Sequence, residues 1–275
     1  MDSLRILHMF HEISSPQNPH IKQIIKLQSK HQERRETGLL VVEGLREISL
    51  AIQSGYKPNS VYFCKQVSEK AILDQLLAGN PETEIFYLSA EAFSRIAYRE
   101  STSGALAVFQ QTDHDFSKIR LTSNPLVVVL ESIEKPGNLG AILRTADAAA
   151  IDAVIICDPL SDIYNPNVIR ASIGTVFTNQ IVTCSSDDAM HWLERNNFNT
   201  YAAELTASSA YHLFDYKQPT AFVMGTEATG LTAQWLSFCN HNIIIPMLGK
   251  IDSLNVSTST AILVFEAMRQ RNFQK

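Results

Sequence analysis

The chain has 275 residues, 45% of them hydrophobic and 19% charged, enough apolar material for the cores of two domains. Its net charge of −5 argues against a broadly basic surface, so any nucleic-acid contact must rest on a local patch. No apolar run reaches the roughly 18 residues of a membrane span, and the opening MDSLRILHMFHE lacks the apolar core of a secretory signal. Cys64, Cys157, Cys184 and Cys239 are scattered without a C-x-x-C pair, which predicts free thiols in a reducing cytoplasm and no metal site.

Residues 1–12 read as a tail. From Pro19, Ile21, Ile24, Ile25 and Leu27 recur on one side of a helix, while Lys22, Lys26 and Lys30 recur at four-residue spacing. Arg34 and Arg35 follow in what reads as the exit loop, completing a cationic stripe. Such a stripe is either a solvated helix face or a track for phosphates. Next come a strand from Gly38 to Gly44, a helix from Leu45 to Ser54 closed by Gly55, and a strand from Val61 to Cys64. A helix over Lys70–Leu77, a strand over Glu84–Leu88, a short helix over Ala90–Ala97 and a strand from Gly104 complete the region. This alternation predicts a small α/β domain over 13–110, with the polar stretch 111–124 as linker.

The alternation resumes more strongly over 125–275. Leu126–Leu130 is a continuous apolar run, as in a strand buried on both faces of a parallel sheet. Further strands are expected over Ala153–Cys157, Gln180–Cys184, Asn199–Ala203, Thr220–Gly225 and Asn242–Ile245, with helices between them. Asn165-Pro166 and Thr232 mark helix starts. The predicted architecture is a doubly wound parallel sheet, whose ligands gather at the carboxyl ends of the strands.

Three loops at such ends carry the chemistry. Pro136-Gly-Asn-Leu-Gly-Ala-Ile-Leu-Arg leaves a strand and opens a helix near Leu139, placing Arg144 within reach of an anion. Phe222-Val-Met-Gly-Thr-Glu-Ala-Thr-Gly sets Glu227 between two glycines after a buried strand, an expensive place to hold a carboxylate for a turn alone. The third runs from Ile243 to Ala261: Pro246 ends a strand, and Ser253 or Asn255 caps a helix. Its unpaired backbone groups suit the edge of an adenine. A nicotinamide enzyme would instead show G-x-G-x-x-G after its first strand, and only Gly137 and Gly140 are present here.

Together, Asn138…Arg144, Gly225-Thr-Glu-Ala-Thr-Gly230 and Ile245-Pro-Met…Ser253-Leu-Asn-Val-Ser257 resemble the three signature motifs of the SpoU (TrmH-like) branch of the SPOUT RNA methyltransferases. The resemblance covers the chain from about Leu126 onward. More weakly, Asn18-Pro19, the basic stripe and Val42-Glu43-Gly44 make the first third similar to an L30e-like RNA substrate-binding domain.

The resemblance implies a parallel-sheet domain with a deep C-terminal trefoil knot, acting as a homodimer. It implies S-adenosylmethionine as cofactor and methyl transfer to a ribose 2′-hydroxyl, in ribosomal (23S-type) RNA or alternatively in tRNA. A non-catalytic RNA-binding relative would have lost Asn138, Arg144 or Ser257, and all three are present. Carried over, Gly225, Ile245, Met247 and Leu254 hold the cofactor through backbone groups, with Leu205 and Met224 beside them. Asn138, Arg144, Glu227, Asn255 and Ser257 form the catalytic set, Arg144 facing the cofactor of the other subunit. Arg170, Lys22, Lys26, Arg34 and Arg35 contact RNA. An arginine with pKa above about 12 is a poor base at neutral pH, so Arg144 is expected to orient phosphate and stabilise charge while Glu227 or a nearby phosphate relays the proton. Two departures stand out: Ala149-Ala150 where the family often has Phe-Gly, and Ser259 where a small apolar residue is common.

Overall fold

The structure, a computed structural model, describes residues 10–64, 79–98, 104–207 and 209–274. The helix expected over Lys70–Leu77 lies outside the described residues. The chain folds as two compact units, Met1–Thr112 with Tyr164–Thr178, and Asp113–Ile163 with Asn179–Lys275.

The first unit runs β1 (Phe10–Ile13), α1 (Pro19–Ser29), α2 (His31–Thr37), β2 (Leu39–Glu43), α3 (Leu45–Gln53), β3 (Pro58–Cys64), β4 (Glu84–Leu88), α4 (Ala90–Ser94) and β5 (Ala105–Gln110). Its sheet has the order β1-β4-β3-β5-β2, with β5 antiparallel to both of its neighbours. Asn18 accepts from His20 N and Pro19 occupies the first turn, so α1 starts where its orphan amides can be satisfied. Ile21, Ile24 and Leu27 then go into the core.

Two local readings change here. Residues 10–12, read as the end of a tail, form with Ile13 an edge strand parallel to β4. A four-residue run gives too little alternation to announce itself. The expected exit loop is the helix α2, which turns Arg34 inward to 2% exposure. Its guanidinium donates to Leu27 O and Gln28 O, carbonyls at the end of α1 that lack helical partners. Arg34 is therefore a fastener between two helices and leaves the surface stripe; Lys22, Lys26, Lys30 and Arg35 stay exposed.

The rest of the chain runs β6 (Leu126–Glu131), α5 (Pro136–Ala148), β7 (Ala153–Cys157), α6 (Pro166–Ala171), β8 (Ile181–Cys184), α7 (Ser186–Arg195), β9 (Asn199–Ala203), β10 (Ser209–Ala210), β11 (Thr220–Met224), α8 (Ala233–Phe238), β12 (His241–Ile244) and α9 (Val256–Gln270). The segment carrying α6 packs with the first unit: Tyr164 Oη lies 3.0 Å from Tyr56 Oη, and the Phe177 ring stands edge-on to Tyr56 at 5.0 Å. The remaining strands form one parallel sheet, β10-β12-β9-β11-β6-β7-β8. The continuous Val-rich run of β6 is explained by its place: Val127, Val128 and Val129 are fully buried.

Of the expected linker 111–124, residues 113–124 belong to the second unit. Phe116 stacks on Trp192 at 5.0 Å, and Thr122 N donates to Asp152 Oδ1 at 2.7 Å. Single anchors of this kind leave no periodicity to read. At the far end, the guanidinium of Arg271 donates to the carbonyls of Tyr216, Asn124 and Gln218 at 2.7–2.8 Å, tying the end of α9 to the sheet. Ala150, one of the two departures, closes α5 with φ +50°, a left-handed position that glycine occupies without strain.

Candidate active site

Strand order brings the loops together. The chain passes outward through β6, β7 and β8, then builds β9, β11 and β12 on the other side, so β6 and β11 meet at the switch point. In open parallel sheets this is where ligands bind.

The loop after β6 ends at Lys135, and α5 begins at Pro136, three residues earlier than expected. Asn138 therefore lies in the first helical turn, beside the loop after β11. That second loop closes on itself: Thr226 N donates to Gly230 O and Gly230 N to Thr226 O, both at 3.1 Å. A Cβ on Gly225 would overlap Gly230 C and O and Leu231 N, so the glycine is demanded by the loop's own backbone. The hairpin tip presents Glu227.

Around this carboxylate a polar cluster assembles. Asn138 Nδ2 and Asn255 Nδ2 each donate to Glu227 Oε1 at 2.6 Å. Lys135 Nζ forms an ion pair with Glu227 Oε2. Asn255 is also the N-cap of α9: its Oδ1 accepts from Ser257 N at 3.0 Å and Ser257 Oγ at 2.6 Å. The Lys135 ammonium, aided by Asn138, holds the Glu227 carboxyl below its ordinary pKa. Ile133, Glu134, Lys135, Asn138, Thr226, Glu227 and Ala228 line a pocket here.

Asn138, Glu227, Asn255 and Ser257 are thus brought together. Arg144 lies about two turns into α5, exposed and outside the cluster; among the described residues its side chain forms no hydrogen bond or ion pair. Lys135 was missed by the sequence reading. Its readable signal was a cation at a helix N-terminus, where the dipole disfavours positive charge, and Glu227 is what explains it.

Leu205, Gly225 and Ile245 follow β9, β11 and β12, three adjacent strands, at their carboxyl ends. Leu205 is 58% exposed, and Ile245, Met247 and Leu254 are half-buried. Met224 is 3% exposed, so its side chain belongs to the core and only its backbone can face a ligand. Among the described residues, no backbone–backbone hydrogen bond involves residues 246–254. Their N–H and C=O groups, rimmed by apolar side chains, fit the edge of a purine and the aliphatic part of a cofactor.

In the first unit, Lys22, Lys26 and Arg35 are exposed. Arg170 is half-buried, its Cζ 4.1 Å from the centroid of the Tyr98 ring, and its Nη2 donates to Asn167 Oδ1 at 2.7 Å. Tyr98 Oη donates to the same oxygen at 3.0 Å.

The SpoU rRNA Methylase family matches residues 125–265, and the MRM3-like substrate binding domain matches residues 18–107. A 23S rRNA (uridine(2479)-2′-O)-methyltransferase of Streptomyces viridochromogenes is 27% identical over 261 residues, covering 92% of this chain and 91% of that protein. The tRNA (guanosine(18)-2′-O)-methyltransferase of Escherichia coli is 36% identical over 148 residues, covering 53% of this chain and 64% of that protein. The crystal structure of an AdoMet-bound rRNA methyltransferase from Sinorhizobium meliloti superposes with a TM-score of 0.86 at 28% identity, covering 94% of this chain and 98% of the other. The chain belongs to the SpoU rRNA methylase family, whose members here use S-adenosylmethionine to methylate RNA.

Proposed function

We propose that this protein transfers a methyl group from S-adenosylmethionine to a ribose 2′-hydroxyl of 23S-type ribosomal RNA. The observation that carries the reading is the Glu227 cluster, built at the switch point beside three strand ends with open apolar loops. The ribosomal relative spans nearly the whole chain and the tRNA relative about half of it, which favours ribosomal RNA over tRNA as the substrate.

The cofactor supplies a methyl on a sulfonium, electrophilic without a metal. Residues 246–254 and Gly225 would hold it through backbone groups, with Leu205, Ile245, Met247 and Leu254 as the apolar rim. Asn138 and Asn255 hold Glu227 Oε1, so Oε2, which faces the exposed Lys135 ammonium, is the oxygen that takes the 2′-hydroxyl proton. Ser257 keeps Asn255 oriented. Arg144, always charged, orients phosphate and stabilises negative charge on the attacking oxygen.

Arg144 acts at the cofactor of a second subunit in a homodimer; its lack of partners within its own chain, among the described residues, supports this. So does the exposure of the apolar Leu248, Ile251 and Phe265. The final segment from Ile245 threads back as a deep trefoil knot, a reading supported by the packing of α9 against α5 and by β12 lying between β10 and β9. The first unit is an L30e-like domain that tracks RNA phosphates along Lys22, Lys26 and Arg35, with Arg170 as a further contact. The setting is cytoplasmic; no helix among the described residues is long and apolar enough to cross a membrane.

The test is transfer of radiolabelled methyl to purified ribosomal RNA and, separately, to tRNA, by wild type and Arg144→Ala. Label in ribosomal RNA should fall by roughly 10²–10³-fold in the variant, with the circular dichroism spectrum unchanged. Label confined to tRNA would replace the substrate. Absence of cofactor binding by calorimetry would end the reading.

A further inference from the structure

The two oxygens of Glu227 are held differently. Oε1 accepts two bonds of 2.6 Å, from the amide of Asn138 in the first turn of α5 and from that of Asn255, the N-cap of α9. Among the described residues, Oε2 has one partner, the Lys135 ammonium. That ammonium sits on a side chain 67% exposed, against 26% for Glu227, so the pair faces solvent. The backbone beneath it is fixed, since Lys135 O accepts from Asn138 N and Leu139 N at 3.0 and 3.1 Å. Lysine is also the cation suited to a change of partner, a point charge on a flexible stem. Its neighbour is the N-terminus of the thirteen-residue α5, with no acidic residue in its first turn, a favourable place for a phosphate.

We propose that Lys135 is a positioning residue that RNA displaces: it pairs with Glu227 Oε2 in the RNA-free enzyme and with a backbone phosphate of the bound RNA. The inference rests on the methyltransferase reading above. The exchange frees Oε2 at the moment the ribose arrives. Oε2 then takes the 2′-hydroxyl proton while the ribose oxygen bonds the methyl carbon and sulfur keeps the electron pair of the broken bond. Before RNA binds, the ammonium holds Glu227 below its ordinary pKa; afterwards that depression is relieved and the carboxylate is a better base. Glu134 is the other charged side chain lining the pocket, and the start of α9 brings only the uncharged Asn255 and Ser257 to the cluster.

The experiment compares wild type, Lys135→Met and Lys135→Arg in RNA binding against salt and in methyl transfer against pH. In Lys135→Met the slope of log affinity against log salt should shrink by about 0.7–0.9, one phosphate contact. Its kcat/KM acid limb, which reports the free enzyme, should move to higher pH, because Glu227 has lost its cation there. Its kcat acid limb, which reports the complex, should stay where the wild type has it. Lys135→Arg should restore the salt slope. An unchanged salt slope, or acid limbs of kcat and kcat/KM that move together, would mean that Lys135 stays on Glu227 throughout and would overturn the proposal. Transfer by the wild type tests the underlying activity separately.

Discussion

Two regions of the second unit sit at the same end of one sheet and are built in opposite ways. Around Glu227, every polar side chain of the cluster is already engaged with another before a ligand is present. Across residues 246–254, among the described residues, no backbone group is paired with another. The difference follows from what each must do. A proton-transfer site gains by having its dipoles fixed in advance. Here Asn138, Asn255 and Ser257 are fixed, and the exposed Lys135 is the member poised to change partner. A pocket that reads a ligand through main-chain groups must keep those groups unsatisfied by the fold, at some cost in local stability.

The largest effect should come from breaking the closed region. Gly225→Ala would force the 226–230 hairpin apart at three backbone atoms. We expect a loss of about 3 kcal/mol in stability by denaturant unfolding, together with loss of cofactor binding. An alanine variant with wild-type stability would mean that the hairpin yields easily and that the glycine serves only the ligand. The open region should respond differently. Leu205→Ser removes an apolar side chain that is 58% exposed, so the unfolding midpoint should hardly move. Cofactor affinity by calorimetry should weaken roughly tenfold, the about 1–1.5 kcal/mol of apolar burial lost on binding. Equal affinity would place the cofactor away from this rim.

The smallest effect concerns neither region directly. Ala150→Gly relieves the left-handed residue that ends α5, the helix carrying Asn138 and Arg144. A gain of about 0.5–1 kcal/mol is expected, with turnover unchanged. Raised stability with reduced turnover would show that strain at this helix end serves the site.

Particular residues show how far the sequence could be read. Glu227 was conspicuous because a carboxylate between glycines after a buried strand has no structural excuse, and Asn255 because it stands where a helix must be capped. The resemblance grouped both with Asn138, but no local pattern encodes their hydrogen bonds, since 28 residues separate Glu227 from Asn255 and 117 separate Asn255 from Asn138. Lys135 failed for the same reason: its partner is 92 residues away. Arg34 was misplaced because a run of charges gives no sign of which member turns inward, and the unsatisfied carbonyls of α1 made that choice.

The sequence by itself determined the alternation of strands and helices, the parallel character of the second sheet and the three motif loops. Each depends on local periodicity, on caps, and on glycine or proline, which act within a few residues. Only the tertiary structure decided that β11 lies between β9 and β6, that Tyr164–Thr178 packs with the first unit, and that one carboxylate gathers a lysine and two asparagines. Those outcomes depend on which buried faces find each other across a hundred residues, and no local pattern encodes that pairing.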